Sequence, residues 1–171
     1  MSLNLSQDDR TEIVKRWFDV TVDRYPAETA KFLRDQSDPF ANPVGAALRE
    51  ELEPILDALL DEQDLASVEP SLDRIIRVRA LQDMSPADAV SFVLVLKEVF
   101  PDVVGSSTQA VKNEFDRRVD GLLLSAFNVF SRCREQVYDI RVKEIRNRSL
   151  KVMERLNSWR EQRAAAPSSD A

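Results

Sequence analysis

The sequence has no histidine among its 171 residues and only one cysteine, Cys133. Without histidine, the chain cannot form a Ser-His-Asp or Cys-His nucleophile, nor a His-ligated zinc, iron or haem site. A single cysteine excludes an internal disulfide, and it excludes thiolate zinc and iron–sulfur sites built from this chain alone. We therefore expect a protein that is not an enzyme and that holds no cofactor and no metal.

Glycine is scarce as well, with only three in the chain. Proteins made of β-strands need glycine-rich turns at most corners, so this composition favours helices. The N-terminus lacks the basic and apolar regions of a secretory signal, and the longest uncharged run, 121–131, is too short to span a bilayer. The sequence predicts an all-α, soluble, cytoplasmic protein that is not embedded in a membrane.

Prolines and capping residues set the expected helix boundaries. Asn42-Pro43 and Ser85-Pro86 each combine a helix cap with a proline at the first helical position. Pro101 is expected to end a nearly apolar helix, because proline lacks the N–H that continues the backbone ladder. Ser6 or Asp8 is expected to cap the first helix, which ends at about residue 24. The other expected helices are 27–34, 44–61, 69–83, 87–100 and a long last helix at about 108–163. Together they form one domain at 1–163, followed by a disordered tail at 164–171.

Two apolar stripes follow one another along the last helix. The first runs from Phe115 to Ile140 with helical spacing and predicts a surface that faces the core. The second has the 3-4-3-4-3 spacing of a heptad repeat, and it predicts that the helix leaves the body and pairs with a second copy or another protein. We call this second stripe the seam; it consists of Val142, Ile145, Ser149, Val152, Leu156 and Trp159.

Charge is unevenly distributed along the chain. Residues 132–163 contain ten Lys and Arg against five Asp and Glu, a net charge of +5. Because the whole chain has a net charge of −6, the remaining residues together carry −11. This division suggests self-association, an acidic partner or weak contact with nucleic acid. A solvated helix is a better interpretation than a nucleic-acid surface, because only Tyr138 interrupts the basic run and the whole chain is acidic. The basic positions of this helix include Arg132, Arg134, Arg141, Arg146 and Arg148.

Arg79 and Asp83 fall on the apolar face of the expected helix 69–83, four residues apart. Charged groups that face a core are costly unless they are paired. The favoured interpretation is a structural ion pair between the two side chains. The alternative is a pocket for an anion or another small ligand, lined by Arg79.

The stretch DPFANPVG, 38–45, places two of the chain's eight prolines and one of its glycines in one short connection. Together with RIIRVRALQDMSPADAVSFVLVLKEVF (74–100) and FNVFSRCREQVYDIRVKEIRNRS (127–149), it resembles the RsbRD N-terminal domain family over about residues 5–159. The most specific part is the signature loop, which contains Asp38, Pro39, Phe40, Asn42 and Pro43. The resemblance implies that this loop is a rigid corner with Phe40 packed into the body. The residues alone leave open whether Phe40 packs in the core or borders a ligand pocket.

The resemblance also implies a globin-like fold without haem, in a dimeric sensor domain of RsbT co-antagonist proteins. In those proteins the last helix leads into a STAS domain within a stressosome, whereas we expect this chain to be a free-standing member without a STAS domain. Free-standing relatives are expected near genes for sulfite-reduction redox complexes. We therefore predict a non-enzymatic sensor or protein-interaction module of bacterial signalling and stress response, whose partners are itself and one other signalling or redox protein. The alternatives are a small-molecule-binding domain with a pocket near Arg79 and an accessory factor of the sulfite-reduction machinery.

Overall fold

A computed structural model describes residues 5–82, 84–105 and 108–164, with side chains up to residue 161. These ranges contain seven α-helices, two short 3₁₀ helices and no strand, which confirms the all-α prediction. The α-helices are α1 Gln7–Asp23, α2 Ala27–Asp35, α3 Pro43–Leu60, α4 Glu69–Leu81, α5 Pro86–Val90, α6 Val95–Val104 and α7 Gln109–Ala164. The 3₁₀ helices are Leu65–Val68 and Ser91–Leu94. The expected tail at 164–171 lies outside the described residues, apart from the last helical position.

The chain divides into two compact units, Met1–Cys133 and Arg134–Ala171. The first unit contains α1 to α6 and the beginning of α7, and it holds the buried hydrophobic core. The second unit contains the rest of α7. Among the described helices, none is both long enough and apolar enough to cross a lipid bilayer.

Three helix starts are capped by the side chains that the sequence indicates. The N–H groups of Asp9 and Asp88 donate to the hydroxyls of Ser6 and Ser85, each over 3.1 Å. Asn42 caps α3, and Pro43 is the first residue of that helix. Each cap gives an acceptor to an N–H that has no partner within its helix.

The expectation of one helix over 87–100 is wrong. The segment divides into α5, a 3₁₀ helix and α6, and the tighter 3₁₀ turns leave both Phe92 and Val93 without solvent exposure. Pro101 does not end α6, which continues to Val104. Val103 and Val104 pack against the core, and this burial outweighs the one backbone hydrogen bond that proline removes.

The first apolar stripe of α7 is buried up to Cys133 but not beyond it. Phe115 is buried, and its ring stacks on that of Phe100 with 3.7 Å between centroids. Ile140 is 59% exposed, so the expectation that the core-facing stripe extends to this residue is wrong. Helical spacing identifies a shared face but not the point at which neighbouring helices stop covering it.

Candidate functional site

Arg79 is the most unusual buried side chain of the described chain. It lies in the last turn of α4 and is only 2% exposed. Its guanidinium carbon is 5.5 Å from the ring centroid of Tyr25 and 5.4 Å from that of Phe92. Two aromatic rings therefore contact the cation, an arrangement that stabilises a guanidinium through its attraction to the π faces.

The hydrogen-bonding capacity of Arg79 is largely unused. Its Nη2 donates to the backbone oxygen of Asp88 over 3.0 Å. Its Nε and Nη1 have no acceptor, and they are two of only three buried side-chain nitrogen or oxygen atoms in that situation among the described residues. These two nitrogens carry three N–H bonds. Buried donors without acceptors are rare in folded proteins, so such a group indicates a function or a stored cost.

A cleft of about 420 Å³ lies beside Arg79. It is formed where the connection between α1 and α2 meets the end of α4 and the beginning of α5. The Tyr25 hydroxyl lies 3.9 Å from the sulfur of Met84, and both side chains are half-buried. The residues that line the cleft are Arg24, Tyr25, Pro26, Arg79, Met84, Asp88 and Ser91.

Burial dominates the electrostatics of the cleft. It lowers the pKa of Arg79, an effect that the nearby Tyr25 and Asp88 oppose and the positive charge of Arg24 reinforces. Burial also raises the pKa of Tyr25, so its hydroxyl stays protonated at neutral pH. Arginine keeps its charge in proteins. The cleft therefore has a desolvated cation in its wall.

Asp83, the predicted partner of Arg79, lies outside the described residues. The ion pair between them stays a prediction. Burial of Arg79 agrees with its place on the apolar face. Its aromatic and backbone neighbours come from three other segments of the chain, so the helical pattern of α4 contained no signal for them.

The signature loop makes a structural corner, centred on Asn42. This side chain is 1% exposed, and its oxygen accepts from the N–H of Gly45 over 2.8 Å. Its nitrogen donates to the backbone oxygens of Leu33 and Gln36, over 3.0 and 2.9 Å. One amide therefore caps the beginning of α3 and binds carbonyl groups at the end of α2. These contacts involve none of the residues around Arg79.

Phe40 stands at the tip of this corner. The N–H of Phe40 donates to the Asp38 carboxylate over 3.0 Å, and the N–H of Asn42 donates to the backbone oxygen of Asp38 over 2.8 Å. These bonds fix the turn, but the Phe40 side chain is 95% exposed. The expectation that Phe40 packs into the body is wrong: the prolines and polar contacts order the corner without an aromatic anchor.

The seam of α7 is open to solvent. Its five large side chains are between 54% and 65% exposed, and Ser149 is exposed too. The basic residues of α7 differ in their contacts. Arg132 pairs with Glu69 over 3.1 Å, and the Arg134 guanidinium lies 5.9 Å from the ring centroid of Tyr138. Arg141, Arg146 and Arg148 are exposed.

The described residues hold no cluster of three or more carboxylate or cysteine side chains that could bind a metal ion. Cys133 is buried, and burial raises its pKa. A thiol with a raised pKa is a poor nucleophile, because the thiolate is the reactive form.

Comparison with known proteins places the chain in a family. The model of the RsbT co-antagonist protein rsbRD N-terminal domain matches residues 11–144, which include the signature loop, Arg79 and the whole cleft. A protein of Archaeoglobus fulgidus, described only as an uncharacterized protein, is 25% identical over 154 residues, or 88% of this chain and 93% of that relative. No solved structure matches the chain, so the globin-like arrangement stays a prediction. The chain belongs to the RsbT co-antagonist protein rsbRD N-terminal domain family.

Proposed function

We propose that the protein is a non-enzymatic signalling module that docks a protein partner through the seam of α7. Family membership supports the signalling class and its regulatory rather than catalytic nature. The observation that carries the docking surface is the exposure of five large apolar side chains at heptad spacing on one helix. An isolated helix gains little from such a stripe, whereas a partner helix that covers it removes apolar surface from water.

The residues beside the seam indicate what kind of helix fits it. In heptad notation, Val142, Ser149 and Leu156 occupy the a positions, and Ile145, Val152 and Trp159 occupy the d positions. The flanking e and g positions face the partner helix in a coiled coil. Five of these six flanking positions are arginine, at 141, 146, 148, 155 and 160, and the sixth is Met153.

This charge pattern favours an acidic partner over a second copy of the chain. In a parallel pair of copies, g positions face e positions; in an antiparallel pair, g faces g and e faces e. Arginine meets arginine in both arrangements. A partner helix with Asp or Glu at its flanks would form ion pairs worth about 0.5 kcal/mol each on an exposed surface. The predicted dimer stays a prediction, and the flanking charges make the seam a poor place for it.

A synthetic three-heptad peptide with Leu at a and d and Glu at e and g is a suitable probe. We expect it to bind the full chain, measured by fluorescence anisotropy, with an affinity that falls as salt rises. The same peptide with Lys at e and g should not bind. Arg148→Glu should weaken binding of the acidic peptide more than Lys151→Glu, which makes the same charge change away from the flanks.

Light scattering on the full chain separates this proposal from self-pairing. If the full chain forms a dimer, we expect the amount of dimer not to depend on salt and not to change in Val152→Asp. Failure of the acidic peptide to bind, together with a dimer that forms at high salt and is lost in Val152→Asp, would show that the seam joins two copies instead. An accessory role in sulfite reduction, with a protein of that machinery as the partner, stays a prediction.

A further inference from the structure

We infer that the cleft beside Arg79 binds a small organic monocarboxylate, with Arg79 holding the carboxylate group. This site is separate from the seam, and its existence does not depend on any protein partner. The inference starts from the three N–H bonds on Nε and Nη1 of Arg79 that have no acceptor among the described residues.

An anion fits Arg79 because none of the described carboxylates forms an ion pair with it. Asp88 approaches Arg79 through its backbone oxygen, while its carboxylate accepts from the Ser85 hydroxyl over 2.6 Å. Glu98 pairs with Arg24 over 2.8 Å. A buried guanidinium without a paired carboxylate is unfavourable, and a ligand carboxylate can accept hydrogen bonds along one edge of the guanidinium, either the edge that carries Nε–H or the edge that carries Nη1.

An organic ligand fits the cleft, because the cleft is larger than an inorganic ion needs and part of its wall is apolar. Its volume of about 420 Å³ exceeds by far the ~30 Å³ that one water molecule occupies in the liquid. The Tyr25 ring, Pro26 and Met84 provide apolar wall. A carboxylate at Arg79 would leave the rest of the molecule against these side chains.

A single negative charge fits the cleft better than two. Asp88 brings its own negative charge to the wall, and Arg24 is already paired. A second charge on the ligand would therefore meet repulsion without a free cation to offset it. Phosphate and sulfate are disfavoured for the same reason.

Met84 is the side chain that would admit the ligand. Nε and Nη1 of Arg79 are shielded from solvent, so a carboxylate reaches them only when part of the wall moves. Met84 is half-buried, and its unbranched side chain adapts more readily than the rings and the proline around it.

Isothermal titration calorimetry on the full chain tests the inference with four probes: acetate, benzoate, inorganic phosphate and neutral benzyl alcohol. We expect benzoate to bind more tightly than acetate, and phosphate and benzyl alcohol not to bind. Arg79→Met should abolish benzoate binding, and Arg79→Lys should weaken it by about tenfold or more, since lysine keeps the charge but not the fork of donors.

The matched control is Arg49→Met. Arg49 also lies over an aromatic ring, 5.1 Å from the centroid of Phe18, but its Nη2 already donates to the backbone oxygens of Leu33 and Arg34 over 2.6 and 2.8 Å. Its replacement should leave benzoate binding unchanged. If Arg79→Met does not fold, Met84→Trp decides the matter: it fills the cleft, leaves Arg79 in place and should abolish binding while circular dichroism stays that of the wild type. No carboxylate binding at millimolar concentration, phosphate binding as tight as benzoate, or benzoate binding that survives Met84→Trp would overturn the inference.

Discussion

Asn42 and Arg79 are shielded from water almost equally, at 1% and 2% exposure, but they differ in how their polar atoms are used. The Asn42 side chain makes three hydrogen bonds: two to carbonyl groups at the end of α2 and one that caps α3. Arg79 makes one, and two of its nitrogens have no acceptor among the described residues. Satisfied buried groups hold a fold together, whereas unsatisfied ones lower its stability. The comparison identifies the corner as scaffold, whereas the unused donors of Arg79 are the observation behind the carboxylate site proposed above.

The largest effect is expected at the corner. Asn42→Ala removes three hydrogen bonds, and at about 1 kcal/mol each it should lower the free energy of unfolding by about 3 kcal/mol. Asn42→Asp keeps the acceptor for the Gly45 N–H but cannot donate, so it should cost about 2 kcal/mol. Urea denaturation measures both. An Asn42→Ala variant as stable as the wild type would contradict the interpretation of the corner as scaffold.

Gly45 provides a second test of the corner, because the corner can close only where this position has no side chain. A Cβ atom at this position would lie 2.3 Å from Asn42 Nδ2 and 2.7 Å from the backbone oxygen of Leu33. Gly45→Ala should therefore destabilise the protein by about 2 kcal/mol, as overpacking does. The control is Gly121→Ala in α7, where the nearest atom is a Leu65 methyl at 3.1 Å. There the gain in helix propensity, about 1 kcal/mol, should offset the contact, and thermal unfolding of the two variants should differ clearly.

The smallest expected effect concerns Glu114 and its partner Arg118, a shielded cation that, unlike Arg79, is well paired. It donates to Glu114 over 2.9 Å and to the backbone oxygen of Leu59 over 2.7 Å. Hydrogen bonds from Arg117 and Arg118 lower the pKa of Glu114 from 4.5 to about 2. A depressed carboxyl pKa stabilises the fold above the unfolded pKa, and this contribution is lost as pH falls through the folded value.

Wild-type thermal stability should therefore fall more steeply than that of Glu114→Gln as the pH is lowered from about 5 towards 2. The Glu114 side chain is 32% exposed, so solvent screens its ion pairs, and the difference between the two slopes should be small and should shrink in high salt. Parallel slopes for the two proteins would mean that Glu114 is not held by the arginines in solution.

Much of the fold follows from the sequence because its signals are local. Ser6, Asn42 and Ser85 cap helices as their positions predict, and each cap acts within three residues. The interruption of 87–100 was not predictable in this way. A strong cap and an apolar run favour one helix, and only the packing of Phe92 and Val93 in the finished core selects the 3₁₀ turn.

The candidate sites also differ in how local their sequence signals are. The seam could be predicted because heptad spacing lies within one helix, and its arginine flanks are part of the same repeat. The pattern of α4 located Arg79 on a buried face, but Tyr25, Phe92 and Asp88 reach it from elsewhere in the chain. For Asn42, the cap on α3 is local, whereas its two bonds to α2 depend on how the corner closes. Phe40 shows the opposite error, since the resemblance to the family implied burial where there is none.

The most direct measurement is urea denaturation of the wild type and Arg79→Met, each with and without benzoate. Without ligand, Arg79→Met should be at least as stable as the wild type, because replacing an unsatisfied buried charge with an apolar side chain is often neutral or stabilising by about 1 kcal/mol or more. Benzoate at about 100 times its dissociation constant should stabilise the wild type by about 2.7 kcal/mol and leave Arg79→Met unchanged. A markedly less stable Arg79→Met, with no effect of benzoate on either protein, would mean that Arg79 is scaffold like Asn42.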